Sequence, residues 1–429
     1  MRPFPHAVRA VALALLATAA CRAAPLAAAP LTAAPPAASW YRGNTHTHTL
    51  WSDGDAFPEM VVDWYRAHGY HFVALTDHNT LADDGARWWR VPATELGRAA
   101  YDRYRQRFGA WVQARRSGDT TWVRLRRPDE YRPRLEAPGR FVLVEGEEIT
   151  QYLDRRGAHM TALNLAEVVP AQPGATLVEM LVGDLAQLDA QARRTGRPVV
   201  GVLNHPNFLW SQTAEDLLAL EGLRFFEVYN GHPLVNVPGD ALHAGNERIW
   251  DIVLAHRLAR GGALLYGVAT DDAHDYHPPA PERRYTGRGW VQVRATRLTP
   301  DSLMAAMQRG DFYASSGVTL ADVRREGARL SLAIRAEPGV TYTTEFVGTR
   351  RGFDTASVAV RDSAGRALTR RYSADVGAVL ATVPGPTPSY TMRGDELYVR
   401  ARVVSSRARP DPSYAGEVES AWTQPVRPD

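Results

Sequence analysis

The chain has 429 residues, of which 45% are hydrophobic and 23% are charged, and its formal net charge at pH 7 is +3. This apolar content is enough for one large core and a smaller second one. The low net charge and the lack of a basic tract argue against a nucleic-acid-binding arm, and the single cysteine excludes an internal disulfide.

Residues 1–38 have the composition of a targeting segment. Arg2 and Arg9 precede or flank the short apolar run 10–20, and an Ala/Pro-rich stretch follows as far as Ala38. This pattern is typical of a secretory signal, and the apolar run is too short to span a membrane stably. We therefore predict a signal peptide and tether at 1–38 and an exported protein, which is periplasmic, secreted or held at the outer surface.

Cys21 follows the apolar run directly and leaves two alternatives open. Cleavage before Cys21 and lipidation of its thiol would tether the protein to a membrane. Thr18 stands where bacterial lipoprotein signals usually carry leucine, however, and cleavage near Ala24 would discard the cysteine.

Residues 39–320 alternate short apolar runs with helical patterns. The predicted strands are 71–76, 141–145, 198–204, 225–230, 264–270 and 289–294, and the predicted helices are 59–68, 175–194, 213–220 and 246–260. A last helix begins at the capping residue Thr299, has Pro300 in its first turn and ends before Gly310. This alternation predicts a parallel α/β sheet that closes as a barrel.

An Arg- and aromatic-rich insertion occupies residues 81–140. We predict an amphipathic helix plus a loop. The insertion could wall the site or form a lid, and a flap that only packs on the surface is an equal alternative.

The pattern changes after residue 320 to short strands separated by Gly/Pro turns. The predicted strands are 330–336, 341–347, 357–361, 378–383, 396–404 and 416–423. Residues 321–429 are therefore predicted to form a small all-β, sandwich-like domain. It contains no histidine, and a glycan or another protein is a candidate ligand for it.

Histidines and carboxylates recur where the predicted strands end, which is where α/β barrels place their chemistry. His46 and His48 form a His-x-His pair, and residues two apart in a strand point to the same face, so both imidazoles can reach one ion. The further candidates are Asp53, Asp77, His78, Glu148, His159, His205, Asp271, Asp272 and His274. At least four strand ends thus deliver a histidine or a carboxylate, which predicts a shared metal site.

Imidazole and carboxylate ligands together suit zinc, manganese and iron, whereas a structural zinc site would use thiolates. More than four ligands imply more than one ion, and a carboxylate such as Glu148 can bridge two. Two ions about 3.5–4 Å apart can activate a bridging hydroxide and hold both oxygens of a phosphoryl transfer. We therefore predict two or three divalent ions.

The segments HTHTLWSDG, TDHNT, GEEIT, HMTALN, LNHPN and TDDAH, in this order, resemble the motifs of the PHP domain, named for polymerase and histidinol phosphatase. The resemblance covers about residues 41–317. It implies an α/β fold, a distorted (β/α)7 barrel, and the activity of most members, which are metal-dependent phosphoesterases. Compact members have far fewer residues where this chain carries 81–140, so the resemblance does not give the substrate.

The resemblance also implies a set of ligands. His46, His48, Glu148 and Asp272 would hold a first ion, Glu148, His159 and His205 a second, and Asp53, His78 and His274 a third. Asp53 stands where some members carry histidine, so the third ion would be held weakly or be of another kind. Asp77 and Asp271 are expected to hold ligands in place, and Glu227 and Asn230 to line the pocket.

The expected function is exported phosphoesterase activity, in which a metal-bound hydroxide attacks the phosphorus of a monoester or diester. A small-molecule substrate is favoured over nucleic acid. Asp272 and His274 are the predicted catalytic residues, with His274 or a metal-bound water protonating the leaving group. The alternatives are a metal-dependent hydrolase of other bonds and an exported metal-binding protein without catalysis.

Overall fold

The computed structural model describes residues 37–83, 85–277 and 284–428. The predicted signal segment as far as Pro36, including Cys21, lies outside the described residues. Within the described part of the chain, no helix is both long enough and apolar enough to cross a membrane.

The predicted α/β region forms strands and helices close to the predicted positions. Its strands β1 to β12 are Ser39–Asn44, Phe72–Leu75, Trp88–Arg90, Ala114–Ser117, Thr120–Arg124, Val142–Leu153, Arg156–Leu163, Val200–Leu203, Phe225–Asn230, Tyr266–Thr270, Trp290–Ala295 and Phe312–Ser315. Its helices α1 to α7 are Pro58–Ala67, Glu95–Phe108, Pro128–Leu135, Leu177–Thr195, Ala214–Ala219, Asn246–Ala259 and Pro300–Gln308. The predicted cap is confirmed, because the Thr299 hydroxyl accepts a hydrogen bond from the backbone N–H of Ser302.

The sheet is mixed and rich in parallel pairings, but it does not close. Strands β10, β9, β8, β7, β6, β2, β1, β11 and β12 lie side by side in that order. In the described residues no strand ladder joins β10 to the opposite side, so the predicted closed barrel is wrong. The reason is that β11 runs antiparallel along β1 from Ser39 to Gly43 and occupies the edge that β10 would need. One parallel bridge, between Thr47 and Ala273, links the segments that follow β1 and β10.

A long hairpin interrupts the strand–helix alternation. The predicted strand 141–145 extends to Leu153 and turns back into β7, which the sequence pattern does not predict. β7 pairs antiparallel with both β6 and β8. In the hairpin register Glu148 lies opposite Thr161 and His159 lies opposite Thr150, so Glu148 and His159 are diagonal neighbours.

The insertion contains more regular structure than predicted. Its helix α2 is confirmed, but the expected loop includes a three-stranded sheet of order β3-β5-β4 and helix α3. The Tyr104 ring of α2 stacks on Phe57 with centroids 3.9 Å apart, and the Trp51 indole N–H donates to the Arg126 carbonyl. The insertion therefore packs against the segment that carries Asp53.

The described residues after Leu320 form strands and turns but no helix. Strands β13 to β21 are Leu320–Glu326, Arg329–Ile334, Tyr342–Arg350, Ser357–Arg361, Ala367–Tyr372, Ala378–Pro384, Ser389–Thr391, Glu396–Ala408 and Val418–Thr423. β21 pairs with β12, and β20, β15 and β18 lie beyond β21 in the same sheet. The large sheet therefore contains strands from both sides of residue 320. The domain boundary at 320 and the sandwich arrangement stay predictions.

Candidate metal centre

Most predicted ligands converge where strands β1, β2, β8 and β10 end, but Glu148 and His159 lie within strands β6 and β7 and not at the predicted strand end. His46 and His48 lie in an extended segment after β1, held between the segments that follow β2 and β10. The His48 N–H donates to the Ala273 carbonyl, and the Asp272 N–H donates to the His46 carbonyl. These backbone bonds fix the histidine pair beside Asp272, and both imidazoles are fully buried.

The first donor group consists of His46, His48 and Asp272. The two Nε2 atoms of the histidines are 3.1 Å apart. The Asp272 Oδ1 atom is 3.3 Å from Nε2 of His46 and 3.2 Å from Nε2 of His48. Atoms that each bind one ion at about 2.1 Å stand roughly 3 Å apart, so these spacings fit a shared ion.

The second group consists of His46, Glu148 and His205. The Glu148 Oε1 atom is 3.3 Å from Nε2 of His205 and 3.5 Å from Nε2 of His46. His159 approaches the same oxygen with Nδ1, at 3.1 Å, although it falls outside the tight group. Its buried Nε2 atom has no hydrogen-bond partner in the described protein. The structure thus groups Glu148 and His205 of the predicted second set with His46 and leaves His159 beside this group, in contact with Glu148.

The third group consists of His48, Asp53, His78 and His274. Asp53 lies 3.3 Å from His274, 3.5 Å from His78 and 3.6 Å from His48, measured between its carboxylate oxygens and the ring nitrogens. The Asp53 side chain is 50% exposed, which makes this the most open of the three groups. His48 was predicted only for the first ion, but its Nδ1 atom faces this group while its Nε2 atom faces the first.

The charges in the site favour ionised carboxylates, but the imidazoles differ: burial lowers the pKa of His48 and His159, whereas nearby carboxylates raise the pKa of His46, His205 and His274 and raise that of His78 to about 10. Burial alone would raise the pKa of Glu148, but His159, His78 and His46 hold it well below its ordinary value. The pKa of Asp272 is lowered in the same way by His46 and His48. Burial, together with nearby His274, lowers the pKa of His48 to about 3. Ionised carboxylate and neutral imidazole are the forms that bind metal.

Glu227 and Asn230, predicted to line the pocket, hold ligands in place. Glu227 Oε1 is 2.7 Å from the His46 Nδ1 atom, which leaves Nε2 of that ring for the donor groups. Glu227 Oε2 accepts from the His205 backbone N–H and from the Asn230 amide. The same amide lies 3.1 Å from the Asp272 carboxylate. Such partners fix the tautomer and orientation of a metal-binding histidine.

Asp77 and Asp271 shape the backbone around the site. Asp77 accepts hydrogen bonds from the backbone and hydroxyl of Thr49 and from the Ser52 hydroxyl, which itself lies 3.3 Å from His48 Nδ1. Asp271 accepts from three successive backbone N–H groups at 287–289. Asp77 therefore fixes the turn before Asp53, and Asp271 fixes the segment that enters β11.

Two polar side chains that the sequence argument missed also contact the ligands. The Thr150 hydroxyl lies 2.6 Å from His78 Nδ1, and the Asn204 amide donates to Glu148 Oε1 at 2.7 Å. Both residues stand next to predicted ligands, in the Glu-Ile-Thr and Asn-His segments. Adjacency was the available signal, but only the fold shows which atoms meet.

Two ligands have strained backbones. His205 has φ +25° and Asp272 has φ +50°, a region that residues with a Cβ atom adopt rarely. Such conformations cost about 1–3 kcal/mol each and persist where surrounding contacts enforce them, most often at functional sites. Here the backbone bonds to Glu227 and His46 enforce them.

The donor chemistry fits divalent transition ions. The donors are imidazole nitrogens and carboxylate oxygens, with no thiolate, which matches zinc, manganese or iron. The two histidine Nε2 atoms lie 3.1 Å apart, a spacing at which the lone pairs of both could reach one cation.

Comparisons with known proteins were made for both sequence and structure. The sequence matches no family model and no curated protein. A two-domain protein from Bacteroides vulgatus that contains a predicted PHP-like metal-dependent phosphoesterase is similar in structure, with 16% identity and a TM-score of 0.39 over 85% of this chain and 92% of that one. Two of the structural neighbours are described as metal-dependent phosphoesterases, and the first of them as predicted and PHP-like.

The second of these is a candidate metal-dependent phosphoesterase from Bifidobacterium adolescentis, with 17% identity, a TM-score of 0.29, and coverage of 56% of this chain and 89% of that one. An amidohydrolase from Chromobacterium violaceum, with bound sulfate and no metal, has 15% identity and a TM-score of 0.26 at the same coverage.

Proposed function

We propose that this protein is an exported metal-dependent phosphoesterase. The observation that carries the proposal is the junction of three donor groups: His46 belongs to the first and second, and His48 belongs to the first and third. One ring nitrogen binds one ion, so a shared histidine marks groups that adjoin and would place their ions next to each other. Adjacent ions are the arrangement that hydrolyses phosphate esters.

The first ion would be held by His46, His48, Glu148 and Asp272, the second by Glu148, His205 and His159, and the third by Asp53, His78 and His274. Glu148 is proposed for both of the first two ions because its carboxylate oxygens lie 3.5 Å from His46 and 3.6 Å from His48. Zinc, manganese or iron ions there would supply an activated water and neutralise the charge on the phosphoryl oxygens. The carboxylates Glu148 and Asp272, buried between the histidines, would balance the charge of the ions.

His274 is proposed to protonate the leaving group, and Asp272 to hold it in place. The His274 Nδ1 atom lies 2.9 Å from the Asp272 backbone carbonyl, which favours a proton on Nδ1 and directs Nε2 toward the exposed Asp53. Substrate would enter on this side, because Asp53 is the most exposed ligand. The leaving oxygen would meet a protonated Nε2 of His274 where no ion occupies the third group; where an ion is held there, Nε2 would be a ligand and a metal-bound water would supply the proton instead.

Localisation and partners rest on the sequence. The targeting pattern at 1–38 supports export, and Cys21 supports a membrane tether as one of the two alternatives. The low net charge supports a small-molecule substrate over nucleic acid. A glycan or protein ligand of the C-terminal strands is part of the proposal.

The test is hydrolysis of p-nitrophenyl phosphate and bis-p-nitrophenyl phosphate by the mature chain with Mn²⁺, Zn²⁺ or Fe²⁺. Metal content is measured in parallel, and the double variant Asp272→Ala/His274→Ala is the control. Metal-dependent cleavage that the control lacks is expected, and the preferred compound separates diester from monoester chemistry. Bound metal without cleavage of either ester would favour a hydrolase of other bonds or a non-catalytic protein. No bound metal would overturn the proposal.

A further inference from the structure

A cavity of about 490 Å³ opens beside the third donor group, between the metal centre and the insertion. Its polar lining consists of Ser52, His78, Asn79, Thr80, Asp83 and Arg87. Since His78 belongs to the donor group, the cavity adjoins the proposed reaction centre. The apolar part of the lining is small, namely Trp51 and Val168, so the cavity suits a polar group better than an acyl chain.

Arg87 is the arginine of this lining, and its position is fixed from two sides. Its Nη1 atom donates to the Trp51 carbonyl at 2.7 Å, and its own carbonyl accepts from the Leu125 N–H in the insertion sheet. Its guanidinium carbon lies 5.5 Å from the centre of the Trp51 ring.

Most N–H groups of the Arg87 guanidinium are left to bind a ligand. Among the described residues its guanidinium forms no ion pair, although Asp83 lines the same cavity. Its one side-chain hydrogen bond to these residues is the bond to the Trp51 carbonyl, which uses one of its five N–H groups. An exposed guanidinium held in place beside a cleft is suited to bind a phosphate or carboxylate through two parallel hydrogen bonds.

We infer that this cavity binds the non-reacting half of the substrate, and that this half carries a second anionic group held by Arg87. The inference rests on the proposed phosphoesterase function. The attacked phosphate would lie on the donor groups, and the second anion would lie on the Arg87 side of the cavity. Hydroxyl or amine groups of the same half would face Asp83. The insertion thus selects phosphate esters that carry a second phosphate or a carboxylate.

The test compares inhibitors of p-nitrophenyl phosphate hydrolysis by the Mn²⁺-loaded enzyme. The probes are ethyl phosphate, with one anionic group, and a series of alkane-α,ω-diyl bisphosphates, with two. The best bisphosphate is expected to inhibit at roughly tenfold lower concentration than ethyl phosphate. Arg87→Gln should abolish this preference, measured as the ratio of the two inhibition constants.

The matched control is Arg90→Gln, an exposed arginine of the same insertion that does not line the cavity. It should keep the preference for bisphosphate. A preference that survives in Arg87→Gln, as simple chelation of the ions would give, or no preference in wild type, would overturn the inference while hydrolysis still supports the proposed function. If no ester is cleaved, calorimetric binding of the same probes to the metal-loaded variants tests the inference separately.

Discussion

At the scale of single residues, Glu227 fixes the tautomer and the orientation of the His46 ring. Four donors point at the Glu227 carboxylate, namely His46 Nδ1, the Thr270 hydroxyl, the His205 backbone N–H and the Asn230 amide. A carboxylate accepts all four, whereas a glutamine would turn an NH₂ group toward two of them.

Glu227→Gln is therefore expected to lower metal affinity by about 10- to 100-fold without removing a ligand. Competition with a metal-binding dye measures the affinity. The control is Glu145→Gln, because Glu145 lies on β6 but pairs with Arg132 instead of contacting a ligand. Equal affinities of the two variants would contradict the positioning role of Glu227.

Asp53 offers a second test at this scale, because it belongs to the third group alone. Asp53→Asn should lower the metal content by one ion per chain and leave the ions held by Glu148 and Asp272. Elemental analysis of the purified variants counts the ions. Asp63→Asn, which weakens the ion pairs with Arg66 and Arg107 away from the metal centre, is the matched control. An unchanged metal content in Asp53→Asn would show that no ion occupies the third group.

At the scale of elements, the insertion is coupled to α1 through a buried carboxyl group. Glu59 is fully buried, and the Tyr104 hydroxyl of α2 donates to it at 2.7 Å. Burial raises the pKa of Glu59 from its ordinary value of 4.5 to about 7, although the hydrogen bond from Tyr104 opposes this shift. The folded chain therefore prefers the protonated carboxyl.

A raised folded pKa gives stability that is fully present below pH 4.5 and lost as pH rises through 7. The loss should amount to about 3 kcal/mol. Glu59→Gln, which stays neutral, should match wild type near pH 4.5 and exceed its free energy of unfolding by that margin above pH 7. Urea unfolding of both proteins across this pH range measures the difference between their free energies of unfolding. The metal ligands titrate equally in both proteins, so their contribution cancels from this difference. A pH-independent difference would contradict the raised pKa.

The elements differ in how well the sequence predicts them. Strands β2, β8 and β10 could be predicted, because each is a short apolar run that ends in polar residues. β7 could not, since its sequence RGAHMTAL mixes small, polar and apolar residues and becomes a strand only between β6 and β8. The same holds for the insertion sheet, whose strands are short and rich in arginine.

At the site, the positions of the ligands could be predicted from motifs at strand ends, but their grouping could not. His48 faces two groups through its two ring nitrogens, and His46 joins the second group in place of His159. These assignments depend on ring orientations that Glu227 sets from β9 and Ser52 sets from the turn after His48. The sequence carries no local signal for them.

At the scale of the whole molecule, the C-terminal strands are joined to the α/β region by a buried ionic network. Arg400 of β20 donates from Nε and Nη2 to Asp251 of α6, at 2.9 and 2.7 Å, and from Nη1 to Glu247. The Tyr398 hydroxyl donates to the same aspartate. The contact is closed to solvent and lies beside the ladder that joins β12 to β21.

Because of these contacts, the chain from 39 to 428 is expected to unfold as one cooperative unit. Arg400→Ala leaves Asp251 buried without its cation and should cost about 3–5 kcal/mol. Arg402→Ala, on the same strand, removes a half-exposed pair with Glu247 and should cost under about 1 kcal/mol. Calorimetry should show a single transition that Arg400→Ala shifts as a whole. Two transitions, of which only one shifts in Arg400→Ala, would instead mean that the predicted boundary near residue 320 separates independent domains.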